Sequence, residues 1–262
     1  MKTNWLNEMS WTEVEEYLKG SDVVIVPIGS TEQHGPAAPI GLDTYVAIAL
    51  AEDAAKRTGV IVTPPIWFGD SPHHLAFPGT ISIRTEVLSE YVKDVLRSLI
   101  RHGFRKIVII NGHKVTNLTP LTAAVRGLKE YEHRDVFFAV IDPIKIGTSA
   151  SKVKDEKEHH AGELELSQML YKYPHLVKKD LIPQVEQQFG KLYSKYMQSD
   201  LFEGGIYVDI PWSSDEERRF APKGALSDAR KASAEKGREF HEDMVSEIVS
   251  FVEWLKKRQD AK

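Results

Sequence analysis

Four short runs that are apolar on consecutive positions constrain the fold most: residues 23–28 (VVIVPI), 60–63 with the prolines that follow, 106–110 (KIVII) and 136–141 (VFFAVI). A strand that is apolar on both faces has to be covered on both faces, as in the parallel sheets of α/β proteins; a strand open to water on one side alternates instead. Segments of helical length lie between the runs, at 45–57, 85–102 and about 118–131. In the second, Val87, Leu88, Tyr91, Val95, Leu96 and Leu99 recur at spacings of one, three and four and mark one apolar face. Strand and helix alternate, which predicts a layered α/β fold with right-handed crossovers. Beyond Asp142 the pattern is less regular, with a helix at about 161–171 and a mixed stretch to 222. A long charged helix is expected over 227–258, its apolar positions including Phe240, Met244, Ile248, Phe251 and Trp254, and the terminal KKRQDAK is expected to be a solvated helix end.

The 262 residues, 42% of them hydrophobic, are enough to bury a large core, and no repeat or linker interrupts them, so one domain over 1–262 is expected. Lys and Arg total 34 against 38 Asp and Glu, and a formal charge of −4 argues against nucleic acid or an anionic membrane surface as partner. The chain has no cysteine, which excludes disulfides, thiolate ligands and a cysteine nucleophile. Any metal must therefore be held by nitrogen and oxygen. The N-terminus is polar and acidic, without the apolar core of a secretory signal, and no run of 18 apolar residues occurs. A soluble, cytoplasmic protein is expected.

In open α/β sheets ligands bind beyond the carboxyl ends of the strands, so polar residues that follow the apolar runs carry the functional signal. Glu32 and His34 follow the first run at an i, i+2 spacing that aims both side chains the same way if the backbone stays extended. Asp43 stands at the expected start of a helix, where the dipole favours a carboxylate. Asn111-Gly112-His113 follow the third run, and His159-His160-Ala161-Gly162-Glu163-Leu164-Glu165 open the later helix. Taken singly, each has an ordinary explanation: Asp43 as an N-cap, His113 as a polar turn residue, Glu163 and Glu165 as solvated first-turn carboxylates, Pro72-His73-His74 as a surface loop. Together they would meet at one sheet edge. Imidazole and carboxylate without sulfur suit Zn²⁺, Mn²⁺ or Fe²⁺, and two such ions bridged by one carboxylate are suited to activating water. A nucleotide site is not supported, because the glycine-containing stretch 29–35 lacks the Lys-Ser/Thr ending of a phosphate loop.

The chain resembles the creatininase (creatinine amidohydrolase) family through four motifs in order. They are Gly29-Ser30-Thr31-Glu32-Gln33-His34-Gly35 with Leu42-Asp43-Thr44, then Ser71-Pro72-His73-His74 with Phe77-Pro78-Gly79-Thr80-Ile81, then Asn111-Gly112-His113, then His160 through Ser167. The resemblance implies a three-layer α/β/α sandwich around a mainly parallel sheet, one or two divalent ions (Zn, Mn or Fe) and a homo-oligomer, a hexamer or trimer of dimers. It further implies that Glu32, His34, Asp43 and His113 are metal ligands with Asp43 as the bridge, that His160 handles protons at the substrate, and that Glu165 supports it.

Two departures from the family pattern bear on the substrate. Creatininase has a metal-binding glutamate two residues after the NGH histidine, where this chain has Val115; the commoner family continuation has glycines where this chain has Lys114 and Val115. Relatives that lack that glutamate carry one three residues after the His160 position, on the same face of a helix, so Glu163 is expected as the fifth ligand. Lys114 either steadies a developing oxyanion or enolate, or points outward. Members of the family hydrolyse creatinine, formamides, a peptide bond, or the carbon ring of an oxidised inositol. The missing glutamate argues against creatinine. With His73, His74, Lys114 and Trp67 offering hydrogen bonds and a stacking face, the expectation leans to attack of metal-activated water on a cyclic polyol ketone such as 3-dehydro-scyllo-inosose. Hydrolysis of a C–N bond is the alternative, and a non-catalytic metal-binding assembly subunit is a weaker one.

Overall fold

A computed structural model describes residues 2–143, 145–186, 200–202 and 210–258. Helix α1 (Trp11–Leu18) precedes strand β1 (Val23–Ile28), helix α2 (Leu42–Thr58), strand β2 (Ile61–Val62), helix α3 (Thr85–His102), strand β3 (Lys106–Asn111), helix α4 (Leu118–Gly127) and strand β4 (Phe137–Ile141). Short helix α5 (Ala150–Val153), α6 (Glu163–Lys172), α7 (Ser214–Phe220) and the long α8 (Ala234–Lys257) follow. The four strands form one all-parallel sheet in the order β2-β1-β3-β4, paired in register from Val23 opposite Lys106 to Ile28 opposite Asn111.

All six residues of β1 and of β3 are buried, as their consecutive apolar residues predict. The pleat divides them between two cores. Val23, Ile25, Val108 and Ile110 pack with residues of α2, α6 and α8, whereas Val24, Val26, Ile107 and Ile109 pack with residues of α3 and α4. This is the expected α/β/α sandwich. On α3 the buried stripe is Leu88, Val92, Leu96, Leu99 and Ile100, while Val87 and Tyr91 are exposed.

The structure corrects several sequence expectations. The helix expected over 227–258 starts at Ala234, because the Ser233 side chain accepts the Lys236 N–H and caps it there. The helix expected to 131 is α-helical only to Gly127 and continues as a wider π turn over Leu128–Glu132. Helices α1 and α7 were not expected, yet each opens on a reciprocal capping box, Ser10 with Glu13 and Ser213 with Glu216. Parts of the mixed stretch to 222 and the last four residues of KKRQDAK lie outside the described residues. Among the described residues no helix is long and apolar enough to cross a membrane.

Two features hold the α2 side of the sheet in place. First, the turns after β1 and β3 touch the first turn of α2: a Cβ on Gly29 would lie 2.3 Å from Thr44 N, and one on Gly112 would lie 1.9 Å from the Asp43 carbonyl oxygen. Only glycine permits this approach. Second, His241 of α8 lies between Gln168 of α6 (2.9 Å) and Asp53 of α2 (3.0 Å), and Lys172 of α6 reaches the same Asp53 oxygen at 2.5 Å. Burial works against ionisation of Asp53, but the His241 and Lys172 hydrogen bonds outweigh it and hold the carboxyl below the ordinary carboxylate range.

Gly112→Ala is expected to destabilise the fold by about 1–3 kcal/mol or more, through overpacking against the α2 backbone, and to loosen Asp43; chemical denaturation measures it. A depressed carboxyl contributes stability above its unfolded pKa and loses it as pH falls through its folded value. Asp53→Asn should therefore be about 1–3 kcal/mol less stable than the parent near neutral pH, with the gap shrinking as the pH drops below about 4, by denaturant titration across pH.

Candidate metal centre

The ends of β1 and β3 and the starts of α2 and α6 meet over the carboxyl edge of the sheet. Asp43, in the first turn of α2, is 2% exposed and does not cap its own helix, which has Gly41 at the N-cap. Its carboxylate turns to the sheet edge, where the Ser30 hydroxyl donates to Oδ2 at 2.7 Å, His113 Nδ1 lies 3.1 Å from Oδ2, and His34 Nε2 lies 3.2 Å from Oδ1. Glu32 stands beside it, with Oε2 at 3.3 Å from His113 Nδ1 and Oε1 at 3.4 Å from His74 Nε2 and 3.7 Å from His160 Nδ1.

The imidazoles are oriented from behind. Nδ1 of His34 faces the Glu32 backbone carbonyl at 3.2 Å, so that Nδ1–H donates there and Nε2 presents a lone pair to Asp43. Nε2 of His113 faces the Asp70 carbonyl at 3.1 Å and the Thr116 hydroxyl, and a proton on Nε2, which the carbonyl requires, leaves Nδ1 as the lone pair facing Glu32 and Asp43. The centre therefore gathers acceptors against acceptors. Glu32 Oε1 and Oε2, His34 Nε2 and Glu165 Oε2 are buried without a hydrogen-bond partner. Such an arrangement is unfavourable unless a cation lies among the groups, or protons take its place. The pKa shifts reflect this demand: burial opposes the charged form of His34, but Asp43 raises the imidazole to about 9, and Glu32 and Asp43 likewise raise His113.

Single donor atoms from Glu32, Asp43 and His113 come within 4.8 Å of one another, and so do those from His34, Asp43 and Glu165. Asp43 is common to both sets. A third set joins Glu32, His34 and His160. The donor chemistry fits one or two divalent ions held by nitrogen and oxygen.

The structure places Glu163 elsewhere. Its Oε2 accepts the backbone N–H groups of Asp155 and Glu156 at 2.8 and 3.0 Å, and Oε1 pairs with Lys236. The expected pairing with His160 on one helical face fails because α6 begins only at Glu163, after a turn in which Ala161 adopts φ +54°. Glu165, not Glu163, brings an oxygen to the centre. Lys114 does not point outward: its ammonium donates to Glu165 Oε1 at 2.6 Å, and its side chain is almost fully buried. Trp67 stays out of the site, its ring edge against Tyr45.

A cavity of about 540 Å³ opens over the centre, within the range of small-ligand sites. His73, His74, Lys114, His159 and His160 contribute polar groups to its lining. Val115, Leu201, Ile210, Pro211 and Trp212 add apolar lining. Val115 has φ +67°, a strained conformation for a β-branched residue, on the rim of the cavity. Burial holds His160 neutral, with the charge of His34 acting in the same sense. Gln33, Trp212 and Glu217 also belong to this region; Gln33 sits inside the first motif without a role assigned to it, and no motif contains Trp212 or Glu217. Burial pushes Glu217 up to about 8, against the opposing N–H groups of Trp212 and Gln33.

A model of the family described as creatinine amidohydrolase matches residues 7–252. A 3-dehydro-scyllo-inosose hydrolase from Thermotoga maritima is 29% identical across 97% of this chain and 84% of its own. Two solved creatininases, one titled as the Mn form and one a variant of Zn–Zn type, superpose with TM-scores of 0.77 and 0.78 at 26% and 27% identity, covering 98% of this chain and all of theirs.

Glu165→Gln is expected to lower zinc affinity by at least about 10- to 100-fold. Glu163→Gln should leave metal stoichiometry unchanged and lower thermal stability instead, since it breaks a buried ion pair. Elemental analysis after desalting, beside thermal unfolding, separates the two.

Proposed function

The chain belongs to the creatininase family of hydrolases, and from that premise we propose that it hydrolyses a carbon–carbon bond in a small cyclic polyol ketone such as 3-dehydro-scyllo-inosose. The observation that carries this reading is the likeness to the Thermotoga maritima inosose hydrolase along 97% of the chain. Polar groups lining the cavity, His73, His74 and Lys114 among them, offer partners for ring hydroxyls.

Glu32, Asp43 and His113 would hold one divalent ion and His34, Asp43 and Glu165 a second, and such ions supply Lewis-acid polarisation of a carbonyl and a water of lowered pKa. The side chains do the rest. His34 and His113 are held by the Glu32 and Asp70 carbonyls so that no rotation is needed to present their lone pairs. Lys114 neutralises Glu165 and brings a positive charge to the edge of the cavity, where negative charge on a substrate oxygen would be steadied. Nε2 of His160 lies 2.9 Å from both the Gln33 carbonyl and the Gln33 amide nitrogen; with both amide protons taken by Glu217 and the Gly224 carbonyl, Nε2–H donates to the Gln33 carbonyl and Nδ1 faces Glu32 and the cavity. A neutral imidazole in that tautomer accepts a proton from water at Nδ1 and passes it to the departing ring carbon. Water thus adds across the bond as a carboxylate at one end and a C–H at the other, with its second proton released to solvent.

The apolar lining of Val115, Ile210, Pro211 and Trp212 favours a second reading, hydrolysis of a C–N bond in a flatter cyclic amide or formamide. Mass analysis of the metal-reconstituted protein with oxidised inositols, creatinine and formamido-pyrimidines distinguishes the two. Gain of one water by the inosose alone supports the first reading, and turnover confined to an amide overturns it. His160→Ala is expected to lower kcat by roughly 10²- to 10⁴-fold with bound metal unchanged; near-normal turnover would remove His160 from the proton path.

A further inference from the structure

Glu217, on α7, is wholly buried and lies 184 residues from Gln33 in sequence, yet it meets both Gln33 and His74 of the cavity. Its Oε1 is 2.8 Å from His74 Nδ1 and accepts from Gln33 Nε2 at 3.2 Å, while Oε2 accepts from Trp212 Nε1 at 3.4 Å. Gln33 in turn donates to the Gly224 carbonyl at 2.9 Å, which with the bond to Glu217 uses both amide protons, so its amide nitrogen, 2.9 Å from His160 Nε2 and 3.3 Å from His74 Nδ1, donates to neither ring; its own backbone carbonyl faces His160 Nε2 at 2.9 Å. The His74 and His160 rings stack at 4.3 Å.

We propose that Glu217 is a positioning residue of this site: by accepting from His74 Nδ1–H and from Gln33 it fixes the tautomer of His74, with Nε2 turned to the cavity, and locks the segment whose carbonyl sets the tautomer of His160. The inference rests on the reading of this cavity as the reaction chamber. A neutral imidazole donates from one nitrogen and accepts at the other, so the partner behind the ring decides what the front presents. A carboxyl at Oε1 can accept from both His74 and Gln33 whether or not Oε2 carries a proton, so the role does not depend on the ionisation of Glu217. With Nδ1–H engaged, His74 Nε2, which lies 3.4 Å from Glu32 Oε1, offers a lone pair that accepts from a substrate O–H or N–H.

The test uses the Zn²⁺-loaded protein with ¹⁵N-labelled histidine and reads the tautomer of His74 by NMR, assigned with His74→Gln. The parent should carry the His74 proton on Nδ1. Glu217→Leu, which keeps the volume but removes the acceptor, should lose that single tautomer and lower kcat by roughly 10- to 100-fold with little change in KM or zinc content. Glu217→Gln, which still offers one oxygen, should keep the Nδ1–H tautomer and lose less activity. A proton on Nε2 in the parent, or an unchanged His74 signal in folded Glu217→Leu, overturns the proposal. The parent spectrum alone decides if Glu217→Leu fails to fold. Failure of the functional reading appears separately, as absence of turnover in a parent whose His74 tautomer is as stated.

Discussion

The candidate centre depends on a close contact between backbones. The first turn of α2 lies directly against the turns that leave β1 and β3, at distances that leave no room for a Cβ on Gly29 or Gly112. Asp43 is carried by that turn into the space between the two strand ends, where Glu32, His34 and His113 already project. A helix displaced by the width of one methyl group would leave Asp43 short of both imidazoles. The sandwich therefore positions the site by packing, and the tie from Asp53 through His241 to α6 and α8 braces the far side of the same helix.

Once gathered, the groups create an electrostatic problem that the protein does not solve with its own hydrogen bonds. Two imidazoles are turned by backbone carbonyls so that lone pairs, not N–H groups, face two carboxylates. The unpartnered oxygens of Glu32 and Glu165 lie among them. Protonation of His34 and His113 satisfies the cluster with charge, and a divalent cation would do so with more charge and better geometry, releasing those protons as it binds. Lys114 compensates part of the negative charge from the side of Glu165. The neutral histidines, His74 and His160, flank the cluster on the Glu32 side and stack on one another, so the centre divides into groups that hold charge and groups that can move protons.

Local pattern carried much of this. Consecutive apolar residues announced β1, β3 and β4, and polar residues placed just after β1 and β3 come together, because strand ends of a parallel sheet share an edge. Glu32, His34, Asp43 and His113 do meet there. Where local pattern failed, the cause was a turn or a distant segment. A three-residue spacing from His160 to Glu163 implies a shared face only if both are helical, and the left-handed Ala161 breaks that premise. Trp67 and Trp212 are equally aromatic in sequence, but only Trp212 lies on the cavity. Glu217 was illegible altogether: the capping box before it marks a helix start, and nothing local says that the residue after it points inward.

What the sequence determined by itself was therefore the α/β layering, the strand edge at which chemistry would gather, and the donor types available, since these follow from burial periodicity and residue chemistry within short windows. The tertiary structure alone decided which carboxylate of α6 reaches the centre, that Lys114 turns inward to meet it, and that Gln33 and Glu217 stand behind the histidines. Those choices depend on the direction of side chains after sharp turns and on contacts between segments as many as 184 residues apart, and no local spacing encodes either.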